Sequence, residues 1–156
     1  SVQSAAILEA HRRYIPGGVV SVNRATKPEI VFTRGAGARI WDADGNEYLY
    51  VKAEGVIAAY APVSLTGGLS EVVSSTDAKG FTGIATADFA DEEYGFVLFR
   101  GRGLALVPSG IGLGDPLTAG SGALSATLTS AVRHVTALEA PVLLSGTTQA
   151  KYVWLH

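Results

Sequence analysis

From Glu29 onward the chain holds no 3.6-residue apolar period long enough for a helix. Short β-branched and aromatic runs recur instead, bounded by Gly, Ser, Thr, Pro and Asp. They read "EIVFTR", "ARIW", "EYLYVKA", "FTGIATADF", "YGFVLFRGRGLALV", "SATLTSA", "HVTALEA", "PVLLS" and "AKYVWLH". Leu124 to Arg133 also reads as strand, because Thr127, Thr129, Val132 and the flanking Gly oppose a helix. Turn signals about every 8 to 12 residues leave no room for crossover helices. The expected fold class is therefore mainly β, a small β-barrel or β-sandwich.

The runs repeat. "IAAYAPVSLTGGLSEVV", from Ile57, and "IGLGDPLTAGSGALSATL", from Ile111, share an Ile, a Pro five residues on, and an apolar-Thr-Gly pattern. A small-residue strand follows each ("GIATA" from Gly83, "TALEA" from Thr136), then an aromatic one, "YGFVLF" or "KYVWL". The offset stays near 54 residues. Two similar strand–turn–strand units are expected, packed into a single core, with "FRGRGLALV" as the strand joining them.

Residues 1–28 differ in texture and read as an N-terminal arm, extended or partly helical, before a β domain at 29–156. Ser4 to Arg13 favours a short helix, with Ser4 as its cap. A helix of about ten residues needs a docking surface to persist in water. "YIPGGV" then breaks it, and Pro28 forces Lys27 out of the helical region. The arm is expected to order on a partner protein or on a sister subunit.

Charged residues make up 17% of the chain and the net charge is −2, so no general attraction to nucleic acid is expected. No apolar run reaches the roughly 18 to 20 residues that span a bilayer, and "SVQSAAILEAHRR" lacks a secretion signal's pattern. No membrane association is expected. With no cysteine, disulfides and thiolate metal sites are excluded.

Asp42, Asp44, Asn46 and Glu47 resemble the start of a calcium loop. An EF-hand needs Gly at its sixth position and Glu at its twelfth. Here Gly45 is fourth from Asp42 and Ala53 is twelfth, which favours a β-hairpin turning at Asp44-Gly45 with its carboxylates in water. His11, His134 and His156 have no partner at a ligand spacing. Ser109 in "VPSGIG" lacks the nucleophile-elbow pattern, and "DFADEEY" reads as a solvated acidic turn. Arg100 and Arg102 would share one strand face and suit an acidic partner surface. No catalytic, cofactor or metal residue is expected. The candidate interface residues are Tyr14, Ile15, Pro16, Val19, Val20, Arg100 and Arg102.

Two resemblances stand beside this reading. "YIPGGV" with "RGAGARIWDADGNEYL" resembles the N-terminal region of class III PLP-dependent aminotransferases of the glutamate-semialdehyde aminomutase type. The family's cofactor-binding Lys lies far beyond that region, so no site residue carries over and no PLP is expected. "DADGNEYLYV", "GVIAAYAPV", "GIA", "EYGFVLFRG" and "GDPLTAG", in this order, resemble tailed-phage capsid decoration (cement) proteins, with Tyr60-Ala61 where an Asp often stands. That resemblance implies a β-barrel or β-sandwich without an active site, on the outer surface of the virion. It implies binding to the major capsid protein at subunit junctions, and self-association as a trimer or a dimer. The alternatives are a small ligand- or glycan-binding β domain, or a non-catalytic aminotransferase-like N-terminal fragment.

Overall fold

A computed structural model describes residues 2–15, 29–37, 39–66, 71–74, 81–109, 111–119, 124–126, 135–138 and 148–156. Among them are one helix, α1 (Val2–Arg12), and eleven strands. The first six strands are β1 (Phe32–Ala36), β2 (Arg39–Asp42), β3 (Glu47–Ala53), β4 (Pro62–Leu65), β5 (Glu71–Ser74) and β6 (Phe81–Ala85). They are followed by β7 (Tyr94–Pro108), β8 (Pro116–Ala119), β9 (Leu124–Ala126), β10 (Val135–Ala137) and β11 (Thr148–Leu155). "EYLYVKA" coincides with β3, and "FRGRGLALV" lies within the 15-residue β7. "PVLLS", Thr127, Thr129, Val132 and His134 lie outside the described residues.

The strand order is β1-β2-β3-β5-β4-β6-β7-β11-β10-β8-β9, so the sheet as a whole is not closed. An additional β3–β7 pairing joins β3, β5, β4, β6 and the first half of β7 into a five-stranded ring. Among the described strand pairs, only β3 and β5 run parallel. Closure removes the unpaired edges that would otherwise invite association. Val51, Ala53, Ile57, Ala61, Val63, Val72, Ala85, Phe89 and Val97 fill this ring.

The second half of β7 then starts the same pattern again. It pairs with β11, which pairs with β10; β10 pairs with β8, and β8 with β9. β9 lies back beside β7. The ladders superpose residue by residue. Tyr48 opposite Leu98 recurs as Arg102 opposite Trp154, and Pro62 opposite Ile84 recurs as Pro116 opposite Thr136. The bond from Ala85 N to Ala61 O recurs from Ala137 N to Asp115 O. These matches set offsets of 54, 56 and 52 residues, so the echo in the sequence is a structural duplication. Ala105, Val107, Leu117, Val135, Ala137, Val153 and Leu155 form the interior of the second unit. Two cores result where a single one was expected: one lies inside the first ring, and the other joins the second unit's interior to Tyr48, Ile84 and Leu98 of the first unit. The first ring is narrow enough that its own small, β-branched inward residues fill it.

Gly101 marks the handover between units. Its φ is +112°, and the alternation of β7 changes parity there: Leu98 faces the second core before it, Ala105 and Val107 after it. A Cβ at this position would fall on Asn46 Oδ1. Asn46 and Gly101 thus lock together where the two units meet.

The helix starts at Val2, so Ser4 lies within it and does not cap it. The Ser4 hydroxyl is buried and accepts the Val31 N–H at 2.9 Å. That tertiary use outweighs the local capping preference. Leu8, also buried, faces the same way, and Arg12 reaches Glu29 at 2.8 Å. Among the described residues, no helix is long and apolar enough to cross a membrane.

Candidate functional site

The hairpin of β2 and β3 carries a polar cluster that its turn sequence alone does not disclose. Asp42 is 2% exposed. Its Oδ1 accepts the N–H groups of Asp44 and Asn46, both at 2.9 Å. Its Oδ2 accepts Asn46 Nδ2 at 3.0 Å and the Tyr48 hydroxyl at 2.9 Å. The expectation that the hairpin's carboxylates face water therefore fails for Asp42, and also for Glu47, which is buried and pairs with Arg39 at 3.1 Å. Asp44 does face solvent, where its carboxylate accepts the Gln3 N–H of α1. Four donors fill the lone-pair sites of the Asp42 carboxylate, which leaves it no vacancy for a cation. Among the described residues no group of three or more His, Asp or Glu could hold a metal ion.

Burial and the adjacent Asp42 carboxylate push the Tyr48 hydroxyl well above the ordinary tyrosine range. A raised acid pKa in the folded state means that the folded chain keeps its proton while the unfolded chain loses it. Stability from this group is present below about pH 10 and falls as pH rises beyond it. In an alkaline absorbance titration Tyr48 should ionise only together with unfolding. A reversible phenolate signal from all six tyrosines in the folded state would contradict this.

A cleft of about 600 Å³ opens between α1 and the sheet. Val2 and Ala5 of the helix form one wall, and Ile84, Leu98 and Leu104 form its apolar floor. Tyr60, Tyr152, Trp154 and Arg102 line the side nearer the second unit, and Glu29 and Asp44 the rim. Such a volume is in the range of ligand sites, about 300–1,000 Å³. Its described lining includes no Ser, Cys or Lys beside a His, so no nucleophile is paired with a base.

The residues singled out from sequence scatter. Tyr14 is 87% exposed and Ile15 half-buried at the end of α1, while Pro16, Val19 and Val20 lie outside the described residues. Arg100 and Arg102 are both exposed, but Gly101 between them breaks the simple two-residue alternation. Arg102 lies over the Tyr152 ring at 4.3 Å and its backbone N–H donates to Asn46 Oδ1 at 2.8 Å. Sequence reasoning missed Leu104, Tyr152 and Trp154, which share this face with Arg102. The 54-residue echo maps the aromatic strand "YGFVLF" onto "KYVWL", but nothing in either run marks which of its outward residues are covered.

No family model matches the chain. Among curated proteins it is similar to glutamate-1-semialdehyde 2,1-aminomutases. It is 36% identical over 95 residues to that of Gemmatimonas aurantiaca, covering 57% of this chain and 22% of the relative. It is 49% identical over 59 residues to that of Thermus thermophilus, covering 33% of this chain and 13% of the relative. The chain thus spans about a fifth or less of these relatives. The fold is shared with the crystal structure of the head fiber gp8.5 N base in bacteriophage phi29, with a TM-score of 0.54 and 16% identity. That match covers 70% of this chain and 92% of the fiber base.

Proposed function

We propose that the chain is a structural protein of a phage virion, a decoration or cement protein on the outer surface of the assembled head. The observation that carries this reading is the shared fold with the head fiber base, which extends over 92% of that chain. The order of strand motifs that resembles capsid decoration proteins supports the same assignment independently of overall shape. In this role the protein performs no chemistry. It binds the major capsid protein at subunit junctions and associates with itself, as a trimer or alternatively a dimer.

The physical logic is linkage. A protein that binds only the assembled shell stabilises it by mass action, and many copies act together, so modest affinity per copy suffices. A specific contact of this kind buries about 1,600 Å² in total. The closed first ring suits the task because its strands are already paired and do not aggregate while exposed on a particle.

Co-sedimentation with empty, expanded heads of the cognate phage tests the proposal. Saturable binding to assembled heads, with none to unassembled capsid subunits, is the expected result. Heads that pellet without the protein at micromolar concentrations would overturn it.

A further inference from the structure

The duplication allows the two units to be compared face by face. On the first ring's outward face, Tyr48, Ile84 and Leu98 are 5%, 1% and 2% exposed, with Phe96 partly buried beside them and Tyr50 still 51% exposed. Ile84 and Leu98 pack into the core shared with the second unit, and a segment outside the ring covers Tyr48 and Phe96. Phe32 of β1 meets the Tyr48 ring at 5.9 Å and the Phe96 ring at 4.8 Å, and Asp42 of β2 takes the Tyr48 hydroxyl at 2.9 Å. Phe32 and Asp42 stand opposite each other in the β1–β2 ladder. The cover is therefore an extended segment that offers an aromatic ring next to a carboxylate.

By the same register, Arg102 takes the place of Tyr48, Leu104 that of Tyr50, Tyr152 that of Phe96, and Trp154 that of Leu98. Here the face is open at Arg102 and Trp154, while Leu104 and Tyr152 are half-buried. Arg102 is exposed, Trp154 is 43% exposed, and both border the 600 Å³ cleft. Where the first unit has a hydroxyl that donates to a carboxylate, the second has a guanidinium, a stronger donor to the same group. Its position over Tyr152 holds it there before any partner arrives.

We infer that the strip Arg102–Leu104–Tyr152–Trp154 is a docking site for an extended segment of another protein that carries an aromatic or large apolar residue beside an Asp or Glu. The carboxylate meets Arg102 and the apolar residue covers Leu104 and Trp154. Mixed polar and aromatic lining is typical of grooves that take peptides. The inference rests on the internal precedent and does not require the partner to be a capsid protein.

The probe is a fluorescently labelled synthetic peptide of residues 29–42 of this chain, the segment that covers the corresponding face of the first ring. Anisotropy titration against the full chain should show saturable binding. Arg102→Glu and Trp154→Ala, both at exposed positions, should each weaken it tenfold or more, with circular dichroism and melting unchanged. Changing Phe32 to Ala or Asp42 to Asn in the peptide alone should weaken it similarly. Absence of binding to the unaltered chain would overturn the inference. So would binding that both protein variants retain, since that marks exchange into the first ring. An oligomer of the unaltered chain that either variant dissociates would assign the strip to a second copy, and would equally overturn it.

Discussion

Asp42→Ala is expected to cost about 3–5 kcal/mol of stability, as does the removal of one partner from a buried charged cluster. The substitution leaves the Tyr48 hydroxyl, the Asn46 side-chain amide and the N–H groups of Asp44 and Asn46 without their acceptor. Each buried donor so orphaned costs about 1–3 kcal/mol, although water reaching the turn offsets part of this near Asp44. The damage should also spread, because Asn46 Oδ1 holds the Arg102 N–H where the units meet. Tyr48→Phe, which deletes a single donor and leaves the carboxylate three others, should cost about 1 kcal/mol. Urea denaturation of both variants separates the two effects. A loss below about 1 kcal/mol for Asp42→Ala would show that the cluster is solvated and not structural.

Gly101→Ala is expected to destabilise by about 3 kcal/mol or more, from two additive sources. Backbone strain at its φ of +112° contributes about 1–3 kcal/mol. Overpacking against Asn46 contributes a similar amount, about 1–3 kcal/mol. Gly45→Ala supplies the comparison, since Gly45 also has a positive φ of +82° but open space around its missing Cβ. That variant should lose only about 1 kcal/mol, the conformational part alone. Near-equal losses for the two glycines would remove the steric lock between Asn46 and β7. Trp41 lies on β2 and Trp154 on β11, so near-ultraviolet spectra of single-tryptophan variants report each unit separately. For Gly101→Ala both reporters should shift together.

The strands were legible where local chemistry and tertiary role agree. "EYLYVKA" alternates inward and outward residues, and its Asp44-Gly45 approach favours a hairpin, so β3 has the boundaries its sequence suggests. The duplication was legible too, because both copies place a proline at the first residue of an equivalent strand, Pro62 and Pro116. Burial of Asp42 was not legible. A carboxylate beside a turn usually meets water, and only the arrival of Tyr48 and Asn46 on one side of it makes burial tolerable. Ser4 misled for a related reason: capping is a local preference, but the chain uses its hydroxyl to hold Val31 from 27 residues away. Trp154 escaped notice because nothing within β11 distinguishes a covered outward face from an open one. That distinction comes from β1, which overlies the first unit and has no described counterpart on the second.

The unbroken run of β7 has a consequence for how the molecule is made. All strand segments of the first ring lie between residues 47 and 100, so they leave the ribosome before most of the second unit exists. The nascent chain can close one ring and thereby hold β7 straight, presenting its far end as a ready template for the strands still to come. Reversing the order of the halves by circular permutation would remove that template and slow refolding, even if the finished product were unchanged.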